Sequence, residues 1–226
     1  IPHLAAYKKG WFQVQYEAAQ LVALLLDPQP GESVLDACAG LGGKTAHLAQ
    51  LMQNQGIIAA LDSNAEKLKQ LGDEMPRLGV TMVQTICQDL MIPFDRCGHE
   101  PFDRILLDAP CTGLGVIRRN PDIKWHMSIA QLARHSMIQK QILQNLADWV
   151  KPGGILVYAV CSVEPEENEV IIDDFLKKRP DFVIDKNRGK LPEAIRSGAK
   201  STIGYTTLKF IKYMDGFYFA RLKRKQ

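Results

Sequence analysis

"SVLDACAGLGGKTAHLAQLMQNQGIIAALD", residues 33–62, decides the fold. The short apolar run from Ser33 to Cys38 reads as a buried strand, and Gly40, Gly42 and Gly43 make a tight loop behind it. Apolar spacing then predicts a helix from about Lys44 to Met52, and a second apolar run, 56–62, closes on Asp62. Strand, glycine loop, helix, strand is a βαβ unit. Working outward, Asn64 caps an expected helix through about Leu78, and residues 81–87 and 102–109 read as a third and a fourth strand. Ser128 caps a long helix ending near Lys151, and Pro152-Gly153-Gly154 is expected to break it before a fifth strand, Ile155 to Cys161. Glu164 to Lys178 reads as the helix that follows. At the other end, Tyr16 to Leu26 has helical spacing and is stopped by Pro28, Pro30 and Gly31.

Strands alternating with helices imply a mostly parallel, doubly wound α/β sheet of Rossmann-like form, covered on both faces. The close of the chain changes character. "TTLKFIKY" (206–213), a turn at Met214-Asp215-Gly216 and "FYFARLK" (217–223) predict a C-terminal antiparallel hairpin at the sheet edge, after a polar loop over 185–204. Between the fourth strand and the Ser128 helix, "PCTGLGVIRRNPDIKW" (110–125) is too rich in proline and glycine for regular structure, and long loops in compact domains are usually functional. Ligands of such sheets lie beyond the carboxyl ends of the strands. Cys38, Asp62, Asp89, Asp108 and Cys161 all fall at or just beyond those ends and are expected to converge on one crevice.

The 226 residues suit a single domain, 1–226, with 1–30 as a lead-in segment and helix; no apolar run approaches the roughly 18 residues of a membrane span. The five cysteines are odd in number and lack C-x-x-C spacing, which argues against a disulfide framework and a zinc site and for a reducing, cytoplasmic setting. The five histidines form no H-x-x-x-H pair, so no metal is expected. The formal charge is only +3, but Lys8-Lys9, Arg118-Arg119, Lys177-Lys178-Arg179 and Lys223-Arg224-Lys225 are basic clusters. Singly they read as solvated surface; together they permit an RNA-binding face. The chain starts at Ile1 with no charged-then-apolar leader, so it is expected to be either processed or, in preference, a fragment whose N-terminal part is missing. A monomer is expected.

The loop "CAGLGGKT" fails two better-known patterns by one residue each. A dinucleotide fingerprint from Gly40 needs glycine where Thr45 stands, and a phosphate-binding P-loop ending in Gly43-Lys44-Thr45 needs glycine where Cys38 stands. Asp62, about 20 residues on at the end of the second strand, suits the hydroxyls of a ribose, Asp89 the base, and Asp108 the reacting centre. S-adenosylmethionine fits this set better than a dinucleotide, since it brings no pyrophosphate for a helix N-terminus to hold. The alternative is a nucleotide-binding protein, a dehydrogenase or NTPase, with an atypical glycine loop.

"DAPCTG" puts Cys111 just after the fourth strand and "AVCS" puts Cys161 just after the fifth, so the two thiols are expected on opposite sides of one cleft. Cys87 and Cys97 read as small buried hydrophobes. Carbon 5 of cytosine is barely nucleophilic; a thiolate that adds to carbon 6 makes an enamine-like adduct whose carbon 5 accepts a methyl group, after which a base removes the proton and the thiol is expelled. A free thiol, with a pKa of about 8.5, needs a cation or dipole to form that nucleophile at neutral pH, and Lys44 is a candidate. Asp108, protonated or sharing a proton, suits the ring nitrogen of the pyrimidine.

"VLDACAGLGGKT" (34–45), "ALD" (60–62), "QDL" (88–90), "FDRILLDAPCTGLGVIRRNPDIKW" (102–125), "LVYAVCSVEPEENE" (156–169) and "DGFYFARL" (215–222) together resemble the Sun/Fmu group of the Nol/Nop/Sun RNA 5-cytosine methyltransferases. The likeness runs from "GWFQVQYEAAQLV" (10–22) to the last strand, and "GVIRRNPDIKW" (115–125) resembles the bacterial enzymes that methylate 16S ribosomal RNA; transfer RNA is the alternative substrate. The resemblance implies a class I S-adenosylmethionine-dependent fold, with Cys161 as nucleophile and Cys111 assisting product release. It further implies that Cys38, Ala39, Gly40, Leu41, Gly42, Gly43 and Lys44 hold the cofactor, with Asp62 on ribose, Asp89 near adenine and Asp108 near the reacting groups. Three positions depart from the family pattern: Gly40-Leu41 replaces Ala-Pro, Val160 a threonine and Tyr16 an acidic residue. The family's usual N-terminal RNA-binding domain has no counterpart here, so the chain is expected to bind cofactor but to methylate RNA poorly. Arg118, Arg119, Lys124 and Trp125 are candidates to hold RNA, with Trp125 alternatively anchoring its loop on the core.

Overall fold

A computed structural model describes residues 1–93, 100–187, 189–193, 204–207 and 214–226. In chain order the helices are α1 (Ala5–Lys8), α2 (Glu17–Leu26), α3 (Gly43–Leu51), α4 (Ala65–Arg77), α5 (Ile123–His126), α6 (Ile129–Leu146) and α7 (Glu169–Lys178). The strands are β1 (Ser33–Ala37), β2 (Ile57–Asp62), β3 (Val83–Cys87), β4 (Phe102–Asp108), β5 (Val150–Val160), β6 (Phe182–Ile184), β7 (Tyr205–Thr206) and β8 (Tyr218–Arg224). They form one sheet in the order β3-β2-β1-β4-β5-β8-β6. The first five run parallel; β8 is antiparallel to β5 on one side and to β6 and β7, end to end, on the other. Strand order reverses between β1 and β4, and that switch point opens the crevice at their carboxyl ends.

Period-two alternation sorts the side chains into two layers. Ile105 and Leu107 of β4, with Leu156, Tyr158 and Val160 of β5, pack under Ile142, Leu143 and Leu146 of α6 and Ile171, Ile172 and Phe175 of α7. Leu106, Ile155, Val157 and Ala159 face the opposite way, under Leu21, Val22 and Leu25 of α2, Leu48 of α3 and Met52 just after it. Each such leucine or isoleucine contributes roughly 1.5–3 kcal/mol by leaving water. Arg221 of β8, 3% exposed, ties the layers by donating to the Leu26 carbonyl (2.8 Å) and pairing with Asp185 (2.8 Å).

Local signals hold at the caps: Asn64 Oδ1 accepts from the Lys67 N–H at 3.0 Å and Ser128 Oγ from the Gln131 N–H at 3.2 Å. Elsewhere the structure differs from expectation. The Ser128 helix stops at Leu146 and a short 3₁₀ turn, Ala147–Trp149, follows. Pro152-Gly153-Gly154 lies inside β5 rather than before it, because the chain bulges there: Phe102 pairs with Val150 but Arg104 with Ile155. Gly153, at φ +79°, takes the left-handed turn the bulge requires. α7 is preceded by a 3₁₀ turn, Pro165–Glu167. The expected hairpin arm 208–213 and Cys97 lie outside the described residues, whereas β8 does add an antiparallel strand beside β5. Within the irregular stretch 110–125, Leu114–Val116 forms a 3₁₀ turn and α5 begins. Among the described residues, no helix is long and apolar enough to cross a membrane.

Candidate active site

Beyond the carboxyl ends of β1, β2, β4 and β5 lies a cleft of about 510 Å³ whose walls include Cys38, Gly40, Asp62, Asp89, Asp108, Cys111 and Cys161. That volume lies within the roughly 300–1,000 Å³ of small-molecule sites. The five strand-end side chains named from the sequence therefore share one cavity. The rest of the glycine loop does not line it: Gly42 packs against α4, where a Cβ would come within 2.6 Å of the Leu71 side chain, and Leu41 faces a separate surface depression.

The β1 end is built for close approach. Cys38 takes φ +64°, unusual for a residue with a side chain, and Gly40 follows at φ +57° with open space where a Cβ would sit. Burial, and then the neighbouring carboxylates, push the Cys38 thiol up, so it is neutral and packs rather than reacts. Asp62 is fixed by two backbone donors, the Gly40 N–H on Oδ2 at 2.9 Å and the Asn64 N–H on Oδ1 at 2.8 Å. A carboxylate offers about four lone-pair positions, so this clamped group retains acceptors for a ribose diol. Asp89, exposed at the outer end, holds the Met91 N–H at 2.9 Å. Leu90, Met91, Ile138 and Ile142 add an apolar wall, which suits the flat base of an adenosine. The isoleucines were legible only as the covered face of α6; their i, i+4 spacing does not say that the face runs on into a cleft. These carboxylate acceptors, the open glycine and the apolar wall fit S-adenosylmethionine.

The P-loop reading fails on two contacts. Thr45 Oγ1 donates to Asp36 Oδ2 at 2.6 Å in the buried interior, and Lys44 Nζ reaches Asp108 Oδ2 at 2.5 Å. Neither side chain is presented to a phosphate. Burial alone would lower the Lys44 pKa, but the adjacent Asp108 carboxylate outweighs it and holds the ammonium above its ordinary value. Lys44 therefore stands as an ammonium in direct contact with Asp108.

Asp36 shows the cost of this crowding. Burial is the main cause raising its carboxyl pKa from 3.8 to about 7, opposed by the Thr45 hydroxyl and Lys44. A raised folded-state value means the group's full contribution to stability is present below about pH 4 and lost as pH climbs through about 7. The loss amounts to about 4 kcal/mol. Asp36→Asn should therefore gain stability on the native protein between pH 4 and pH 8 in urea melts; a difference that stays constant with pH refutes this.

The two thiols are not across the cleft from one another, as the strand ends suggested: Cys111 Sγ and Cys161 Sγ lie 3.4 Å apart. The Cys161 thiol is lowered first by its hydrogen bond with Cys111, against burial and Asp108 and with help from Lys44. Cys111 is pushed up by the same hydrogen bond, by burial and by the charges of Cys161 and Glu167. Behind them Gly115 donates to the Cys161 carbonyl (3.0 Å) and accepts from the Gly216 N–H (2.8 Å). A Cβ at Gly115 would sit 1.9 Å from the Gly216 oxygen, so only glycine fits. Cys87 is exposed rather than buried, correcting its reading as a core hydrophobe.

The loop carrying the basic cluster leaves this point directly. Arg119 Nε donates to the buried Asp215 carboxylate at 2.8 Å while its guanidinium lies 3.4 Å from the Tyr16 ring centroid. Arg118, 61% exposed, stands 3.6 Å from the same carboxylate. Trp125 is 75% exposed beneath the Lys124 ammonium (4.6 Å), so it does not anchor the loop; Val116 and Ile123 do.

Fold and cleft together define a Rossmann-like S-adenosylmethionine-dependent methyltransferase domain. The sequence profile of the family described as 16S rRNA methyltransferase RsmB/F matches residues 23–223, and the chain belongs to that family. It is 39% identical over 225 residues to ribosomal RNA small subunit methyltransferase B of Vibrio cholerae, a match covering 100% of this chain and 49% of that protein. Among solved structures it is similar to a methyltransferase homolog from Pyrococcus horikoshii, with TM-score 0.78, 30% identity and coverage of 99% of this chain and 72% of that one. It is also similar to NSun6 from Pyrococcus horikoshii, solved with SFG, with TM-score 0.85, 26% identity and coverage of 100% and 56%. The chain spans about half the length of the curated relatives it matches.

Proposed function

We propose that this chain is a catalytic domain that transfers a methyl group to carbon 5 of a cytosine in 16S ribosomal RNA, through a covalent adduct with Cys161. The observation that carries the reading is the thiol pair, 3.4 Å apart on the wall of a cleft that also presents Asp108. S-adenosylmethionine, when bound, supplies the methyl group on a sulfonium. Asp62, Asp89, Gly40 and the Cys38 turn hold the cofactor, and Lys44 acts through Asp108 instead of on the cofactor.

Cys161 Sγ adds its electron pair to carbon 6 of the base, and the electrons of the 5,6 double bond move to carbon 5, which becomes nucleophilic. Asp108 accepts from the exocyclic amine while the Lys44 ammonium behind it offsets negative charge growing on the ring. After transfer a base takes the proton from carbon 5, the double bond re-forms, and the Cys161 sulfur leaves with its pair. A hydrogen bond from the Cys111 thiol stabilises that leaving thiolate, which is how Cys111 assists release. Arg118, Lys124 and Trp125 project from the loop joined to Cys161 through Gly115, and suit the phosphates and an unstacked base of single-stranded RNA.

The test is incubation with a cytosine-containing 16S ribosomal RNA fragment and methyl-labelled cofactor, followed by nucleoside analysis. Label should appear in 5-methylcytidine. Label at a ring nitrogen or ribose oxygen, or in transfer RNA alone, would overturn the assignment.

A further inference from the structure

Glu167 is fully buried, lies off the cleft wall, and takes no part in the mechanism above. Its Oε1 accepts from the Thr112 N–H at 2.9 Å and from Gln139 Nε2 at 3.0 Å, and its Oε2 accepts from Thr112 Oγ1 at 2.5 Å. All three donors are neutral. Gln139, reaching from α6, also donates to the Pro110 carbonyl at 3.0 Å, and the Tyr158 hydroxyl donates to the Glu167 carbonyl at 2.7 Å. One carboxylate thus fastens the residue after Cys111 to the turn that follows Cys161. Burying a charge among neutral partners is expensive, and a glutamine of the same shape would fill the space without that expense. The charge itself calls for a role.

The surroundings of the thiol pair are lopsided in charge. Lys44 from α3 and Asp108 from β4 bear on Cys161, whereas Glu167 bears on Cys111. Tyr158 from β5, which also faces Cys111, is held neutral by burial. We propose that Glu167 is a positioning residue that keeps the proton of the thiol pair on Cys111, so that the sulfur released as thiolate is that of Cys161. A negative charge on the Cys111 side makes a second one there costly, whereas on the Cys161 side the Lys44 ammonium, in contact with Asp108, offsets that carboxylate. The same contacts hold the loops so that the Cys111 S–H points its proton at Cys161. This explains how two thiols in contact acquire different chemistry. It rests on the proposed function only in naming Cys161 as nucleophile.

The test is the pH dependence of iodoacetamide labelling of each thiol in the free protein, without RNA or cofactor, located by peptide mass. It therefore reads the pair even if the RNA substrate is wrongly assigned. The native protein should label at Cys161 first. In Glu167→Gln, the Cys161-to-Cys111 labelling ratio near neutral pH should fall about tenfold, one unit of relative acidity. Thr112→Val removes a hydrogen bond but keeps the charge, and should leave the ratio close to native. An unchanged ratio in folded Glu167→Gln, or an equal fall in Thr112→Val, would overturn the proposal in favour of plain loop packing. Should Glu167→Gln fail to fold, Cys161→Ser serves instead: Cys111, alone beside Glu167, should titrate above the ordinary value of about 8.5, and titration at or below it refutes the assignment.

Discussion

Cys161→Ala should reduce methyl transfer by a factor on the order of 10⁴ or more and yield no covalent RNA complex, because the sulfur that activates the ring is gone. Cys111→Ala should behave in the opposite way with the same reagents. It can still add to carbon 6, but the departing sulfur loses the hydrogen bond now seen at 3.4 Å, so a protein–RNA adduct should accumulate on denaturing gels while turnover falls. Both variants should fold, since each removes only one sulfur from the wall of an open cleft. The pair of outcomes is diagnostic as a pair. An adduct with Cys161→Ala and none with Cys111→Ala would exchange the roles of the two sulfurs and remove the basis for the Glu167 proposal as well.

Lys44→Met carries the second large effect. The native ammonium sits 2.5 Å from Asp108, and the side chains of the pair are only 15% and 29% exposed. Removing it strands a carboxylate, at about 1–3 kcal/mol of stability, and takes from the ring the positive charge that would meet its developing negative charge. Methyl transfer should fall about 10²–10³-fold. Cofactor binding measured by calorimetry should stay near native, because Asp62, Gly40 and the apolar wall are untouched. If instead cofactor binding is lost while adduct formation survives, Lys44 belongs to the cofactor loop, as the family resemblance implies.

The two predictions rest on information of different kinds. Cys161 could be placed at the end of a strand from "ILVYAVCS" alone, because a run of β-formers meeting a polar turn is a local signal. Its partner at 3.4 Å could not. The strand ends suggested thiols facing across a gap, and contact comes about because the Thr112–Glu167 bonds draw one loop onto the other over a separation of 55 residues. Lys44 was legible as a nearby cation but was also assigned to cofactor binding by its place in the loop; its direction towards Asp108 depends on β4 lying beside β1. Glu167 lay within the quoted stretch 156–169 but drew no role of its own, since its burial appears only when Gln139 and Tyr158 close over it. For Trp125 the sequence left two readings open, an RNA contact or an anchor for its loop, and its 75% exposure removes the second.

By itself, then, the sequence determined the α/β order, the glycine turn, the caps and the set of strand-end side chains. Those depend on periodicity and turn chemistry within a dozen residues of each position. Tertiary structure alone decided the strand bulge at Pro152-Gly153-Gly154, the insertion of β8 beside β5, the sulfur contact and the charge on either side of it. Each of these comes from chain segments far apart in sequence whose meeting is set by sheet order and burial, and a carboxylate's or a thiol's acidity follows from that company, not from its own neighbours along the chain.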